Sequence, residues 1–176
     1  IPCLVLSSLL LCSPVGARLL ANFAAVAQSQ AELSVYSWPE WGVQDSVRRA
    51  EAVDLSRVIL LYRGALVLDS LNVTANRRLG QIELARGNYS SAQRHLEMAY
   101  ESAPEQRATR QLLGEIYAIS GNSEKAVSLW RNIDTSHGQL DARQWWYDHI
   151  GTQQESERLR KAIALFKQSV PYGVNG

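Results

Sequence analysis

Three histidines are the first residues to weigh for chemistry. His95, His137 and His149 stand 42 and 12 residues apart. Two ligands on one helix face need steps of three or four residues, and no cysteine lies nearby to complete a zinc set, so no metal site is expected. Cys3 and Cys12 both fall in an apolar leader, which leaves the folded part without a disulfide or cysteine–metal framework. No Ser–His–Asp or Cys–His grouping sits in a recognisable motif, and phosphate-cradling glycine loops are absent. The carboxylates are scattered as on solvated helix faces. The chain therefore reads as non-catalytic, with no cofactor, although a catalytic part could lie upstream of it.

The densest aromatic cluster is Trp145-Trp146-Tyr147, close to His149. Three consecutive residues cannot share one helix face, so at least one must stand outside the core. Core packing by Trp145 or Trp146 against the last helix is the favoured reading, and a binding platform is the alternative. Asn72-Val73-Thr74 and Asn88-Tyr89-Ser90 match the glycosylation pattern. Each asparagine also has a plainer role, Asn72 as a helix cap and Asn88 in a turn.

The elements that position these residues show a fixed period. Leu79-Gly80 returns 34 residues later as Leu113-Gly114, Gly87-Asn88 as Gly121-Asn122, and Ala92 as Ala126. Such a period means one helix–turn–helix unit used repeatedly. Leu79 and Leu113 mark the inner stripe of the first helix of each pair. Gly80, Gly114, Ala92 and Ala126 lack bulk, so paired helices can approach closely. Gly87 and Gly121 permit the positive φ that ends a helix. Pro104 breaks the chain where one unit hands over to the next. Helices are predicted over 19–36, 43–52, 55–68, 73–86, 90–102, 105–119, 123–133, 140–150 and 154–168. Asp54 or Ser56 is expected to cap the third, and Asn72 the fourth.

Counted from Val73, the residues Leu79, Gly80, Gly87, Tyr89, Ala92, Leu96, Ala99 and Pro104 fall in the register of a tetratricopeptide repeat, which residues 73–140 resemble over two consecutive units. Glu83 departs from that pattern where a tyrosine is usual, and Ser123 stands at the equivalent of Tyr89. Tyr62, Ala65 and Ser70 add half a unit upstream, and the last two helices read as a shortened closing pair. The resemblance implies an all-α, right-handed array of about three helix pairs, preceded by an N-terminal apolar helix. It also implies a concave groove that binds a protein or peptide segment. Carried over by position, the groove candidates are Thr74, Arg77, Gln81, Leu84 and Ala85 from one unit. Ala108, Gln111, Glu115, Ala118 and Ile119 come from the next. Arg77 is the candidate for holding a carboxylate by a two-pronged hydrogen bond. A chaperone-type carboxylate clamp is not expected, because Ala108 and Leu112 stand where cations are needed.

The 176 residues carry a formal charge of +1, and residues 73–140 hold eight basic and seven acidic side chains, so nucleic acid is not an expected partner. Residues 1–17 carry no charge. The run 4–11 suits a signal-peptide core, with Val15-Gly16-Ala17 or Ala25-Val26-Ala27 as cleavage sites, or the end of a transmembrane helix whose exit is Arg18. A buried helix is disfavoured because Pro2, Pro14 and Gly16 interrupt it. Trp38 and Trp41 flank Pro39 and read as an end cap on the stack, or else as interfacial anchors. The expected organisation is a membrane-linked or signal segment with a helix over 1–36, a linker with a short helix over 37–54, the repeat array over 55–168, and a tail over 169–176. The leader, the Trp-Pro-Glu-Trp stretch and the repeats together resemble, more loosely, the C-terminal tail of bacterial O-antigen ligase-like envelope proteins. That implies a membrane-anchored scaffold with extracytoplasmic repeats. A free secreted or periplasmic adaptor is the alternative.

Overall fold

The computed structural model describes residues 14–35, 49, 53–131, 133 and 139–169. Residues 1–13, the Trp38–Trp41 stretch, His137, the tail beyond Ser169 and all of the expected helix over 43–52 except Arg49 lie outside the described residues. The described elements are all helices, so the fold is all-α: α1 Pro14–Ser34, α2 Ser56–Leu68, α3 Val73–Ala85, α4 Tyr89–Ser102, α5 Arg107–Ile119, α6 Ser123–Trp130, α7 Gln139–His149 and α8 Gln153–Ser169. Among the described residues no helix is long and apolar enough to cross a membrane. The chain divides into two compact units, Ile1–Ala103 and Pro104–Gly176.

In the first unit α1 packs on α2 and α3, α2 on α3, and α3 on α4. Val58, Ile59, Tyr62 and Ala65 form the buried face of α2 and, with Leu55 just before the helix, share one core cluster with Leu79 and Ile82 of α3. Asn72 begins α3 as expected: its side chain accepts the Ala75 N–H at 3.0 Å. Asp54 supports the start of α2 by accepting the Ser56 N–H at 2.9 Å. That bond, followed by one from the Ser56 hydroxyl, holds the Asp54 carboxyl below its usual pKa.

Helix α1 corrects the sequence expectation in two ways. It starts at Pro14 and runs through Gly16, so neither residue interrupts it. A proline in the first turn loses only an N–H that has no intrahelical acceptor there. Most of its expected apolar stripe also faces outward. Its sequence suggests an apolar stripe of Leu19, Leu20, Phe23, Val26, Ala27 and Leu33, of which Leu20 and Ala27 are partly buried against the core and Leu19, Phe23, Val26 and Leu33 are exposed, whereas Ala17, Ala21, Ala24, Gln28 and Glu32 are buried. The alanines allow close approach, and the polar pair is satisfied internally. Tyr62 donates its hydroxyl to Gln28 Oε1 at 2.9 Å, and Gln28 Nε2 donates to Glu32 Oε1 at 2.7 Å.

In the second unit α5 packs on α6, and α8 packs on α5, α6 and α7. Trp130, fully buried, lies edge-on to Phe166 with ring centroids 6.0 Å apart. Arg158 of α8 donates to the Ile119 carbonyl at 3.1 Å, placing a cation at the C-terminal end of α5. Helices α3, α5 and α7 end alike. Gly87, Gly121 and Gly151 take φ of 77°, 89° and 76°, and each is followed by a paired set of N–H bonds back to the last turn.

The close approach expected at two glycines is present. A methyl group at Gly80 would come within 2.6 Å of Leu96 Cγ, and one at Gly114 within 2.8 Å of Trp130 Cδ1. Helices α3 and α5 begin 34 residues apart, as do α4 and α6.

Candidate interaction surface

The candidate residues on α3 differ in accessibility. Thr74, Arg77, Gln81 and Ala85 are half-buried, and Leu84 is buried. One turn of helix separates each of Arg77, Gln81 and Ala85 from the next, so they form a single stripe. The Oε1 of Gln81 is enclosed and has no donor among the described residues.

Beside this stripe is a polar contact that sequence reasoning missed. His95 Nδ1 of α4 lies 3.0 Å from Asn76 Oδ1 of α3. Asn76 is fully buried and donates its Nδ2 to the Ser70 carbonyl at 2.9 Å. A carbonyl only accepts, so the amide orientation is fixed and Nδ1 of His95 must carry a proton. Burial pushes the His95 pKa down. Arg94 and Arg63 act in the same direction, and Glu83 opposes them. The two asparagines of the glycosylation patterns also have structural work. Asn72 is buried at its cap, and Asn88 donates to Glu83 Oε2 at 2.7 Å.

On α5 the candidates are mostly enclosed. Ala108 is exposed, while Gln111, Glu115, Ala118 and Ile119 are buried. The carboxylate of Glu115 is occupied by its own unit: Tyr147 of α7 donates to Oε1 at 2.8 Å, and Arg143 Nε lies 3.2 Å from Oε2. Only the aromatic character of Tyr147 was visible in the sequence; nothing there paired it with a glutamate 32 residues earlier.

Of the aromatic cluster, Trp146 and Tyr147 are buried, and Trp145 is 56% exposed. Trp145 stacks on His149 with centroids 4.9 Å apart and planes at 13°. Among the described residues of the second unit, this pair is the most accessible aromatic surface. A shallow recess elsewhere in that unit is lined by Ser120, Asn122, Ser123, Glu124, Lys161 and Leu165. Its glutamate and lysine balance in charge, and it holds no buried titratable group.

Among the described residues no group of three or more His, Cys, Asp or Glu side chains is placed to hold a metal ion. The arrangement offers hydrogen-bonding side chains on helix faces, the chemistry of binding. No protein-family model, curated protein or solved structure matches the chain.

Proposed function

We propose that the chain is a tetratricopeptide-like scaffold that binds protein segments and carries out no catalysis itself. The observation that supports this best is the recurrence of one helix pair. Helices α3–α4 and α5–α6 share a 34-residue offset, and each contains a glycine pressed against a large side chain of its partner helix. A repeated pair with a small-residue seam is how such scaffolds stack. The binding stripe in this reading is Thr74, Arg77 and Gln81 on α3. Arg77 supplies the charge, and Thr74 and the half-buried Gln81 lie beside it on the same helix. In the wider setting, the chain is the extracytoplasmic tail of a bacterial membrane protein of the cell envelope.

The test is selection of binders from a random peptide display library against the whole chain, followed by titration of the selected peptides. The expected peptides are acidic, and Arg77→Ala weakens them about tenfold, the equivalent of about 1.4 kcal/mol, while helicity by circular dichroism is unchanged. Peptides indifferent to both Arg77→Ala and Gln81→Ala would remove α3 as the binding stripe. Loss of helicity in Arg77→Ala would make the arginine a structural residue.

A further inference from the structure

The outward-facing stripe of α1 leaves large apolar side chains on the surface of the first unit. Val15, Leu19, Phe23, Val26 and Leu33 are each roughly half exposed or more. On α2, Leu60 is 67% exposed and Val67 86%. The two sets belong to one surface. Gly64 lies between Leu60 and Val67 on the same stripe of α2, and Leu20 of α1 sits over it, 3.2 Å from where a Cβ would stand. Leu20 is in turn flanked on its own helix by Leu19 and Phe23. The exposed side chains of both helices therefore border a single helix–helix contact.

The exposed charges carried by these two helices have one sign, and the nearest carboxylates flank α2 at its ends, Asp54 exposed before it and Asp69 half-buried after it. Arg18 on α1 and Arg57 and Arg63 on α2 are exposed. The single carboxylate in either helix, Glu32, is fully buried. A soluble surface normally intersperses both signs and keeps large apolar side chains apart. Aromatic and aliphatic side chains edged by three arginines, with no exposed acid on either helix, complement the acyl boundary and headgroups of an anionic bilayer. A second copy of the same face would bring like charges together.

We propose that the outer face of α1 and α2 lies on an anionic lipid surface. Phe23, Leu19, Leu60 and Val67 enter the acyl boundary, and Arg18, Arg57 and Arg63 pair with lipid phosphates. This goes beyond the scaffold reading and is independent of it, because α3 and its stripe take no part.

The test uses the full chain with Cys3→Ser and Cys12→Ser and one reporter cysteine at a time: Phe23→Cys, Val67→Cys, or Arg94→Cys on α4 as a control. Each carries an environment-sensitive nitrobenzoxadiazole label and is checked for native helicity. With phosphatidylcholine–phosphatidylglycerol vesicles, the reporters at 23 and 67 are expected to shift to the blue and lose access to iodide. Phosphatidylcholine alone produces a smaller change, and the reporter at 94 stays accessible. Three results would overturn the proposal. One is reporters at 23 and 67 that remain open to iodide, whether or not the chain sediments with vesicles. Another is shielding before lipid is added, which means the chain covers its own face. The third is shielding that rises with protein concentration without lipid, which means a second copy does. Peptide binding measured on the same preparations tells failure here from failure of the scaffold reading.

Discussion

Tyr147 donates its hydroxyl to Glu115, and the two residues come from α7 and α5 of the second unit. Glu115 is 1% exposed, so its carboxylate depends on this bond and on Arg143 for the solvation that water would otherwise provide. Tyr147→Phe keeps the ring and removes the donor. We expect it to lower unfolding free energy by about 1–3 kcal/mol, the range for depriving a buried charged group of a partner. Urea denaturation of the variant beside wild type measures this, and a change under about 0.5 kcal/mol would mean that water replaces the hydroxyl.

Gly80 and Gly114 occupy equivalent positions but face different neighbours, so alanine should affect them unequally. At Gly80 the added methyl meets the Leu96 side chain, which has rotatable bonds and can give part of the space, and lies 3.2 Å from the Ala92 carbonyl oxygen. At Gly114 it overlaps the indole of Trp130, which is fully buried and donates its Nε1–H to the Gln111 carbonyl at 3.3 Å. A rigid, anchored ring cannot move aside without disturbing the Phe166 contact. We expect Gly114→Ala to cost about 3 kcal/mol or more and Gly80→Ala about 1 kcal/mol, partly offset by the better helix propensity of alanine. Thermal or chemical denaturation that ranks the two the other way would contradict the packing described.

These glycines also show what the sequence made legible and where it stopped. Their period, the positive φ at Gly87 and Gly121, and the cap at Asn72 were all readable because each depends on a local rule of backbone geometry. The placement of Trp145 outside the core followed from helical geometry too, although which of the three aromatics it would be did not. Helix α1 was read with most of its buried face on the wrong side, only Leu20 and Ala27 of the expected stripe meeting the core. A pattern of large apolar residues says which side chains gain by burial, but not that alanines let a helix approach more closely. Nor does it reveal that Tyr62 would supply a partner to Gln28. The closure of Glu115 was hidden for the same reason, since it depends on where α7 lies.

His95 gives the first unit a pH dependence whose sign follows from its burial. Its folded pKa lies below the unfolded value of about 6.5. As pH falls through about 6.5 the unfolded chain takes up a proton before the folded one, so unfolding is favoured by added protons and stability declines. The contribution is fully present above the unfolded pKa and is lost progressively down to the folded one. We expect wild type to lose more stability than His95→Asn between about pH 7.5 and pH 5.5. Denaturant midpoints at both pH values test it, and equal losses in the two proteins would mean that the imidazole titrates alike folded and unfolded.

The chain of hydrogen bonds from Tyr62 through Gln28 to Glu32 has a consequence for alignment. Apolar contacts between α1 and its neighbours are nearly indifferent to a slide along the axis, since alanine follows alanine at Ala17, Ala21 and Ala24. The hydrogen bond that crosses between the helices is not. A shift of one helical turn, about 5.4 Å, would separate the Tyr62 hydroxyl from Gln28, while the Gln28–Glu32 bond, which lies within α1, would travel with the helix. The smooth seam and the polar lock are thus complementary. The alanines bring the helix close, and the bond from Tyr62 to Gln28, an amide held in place by Glu32 of its own helix, decides the single position at which it stops.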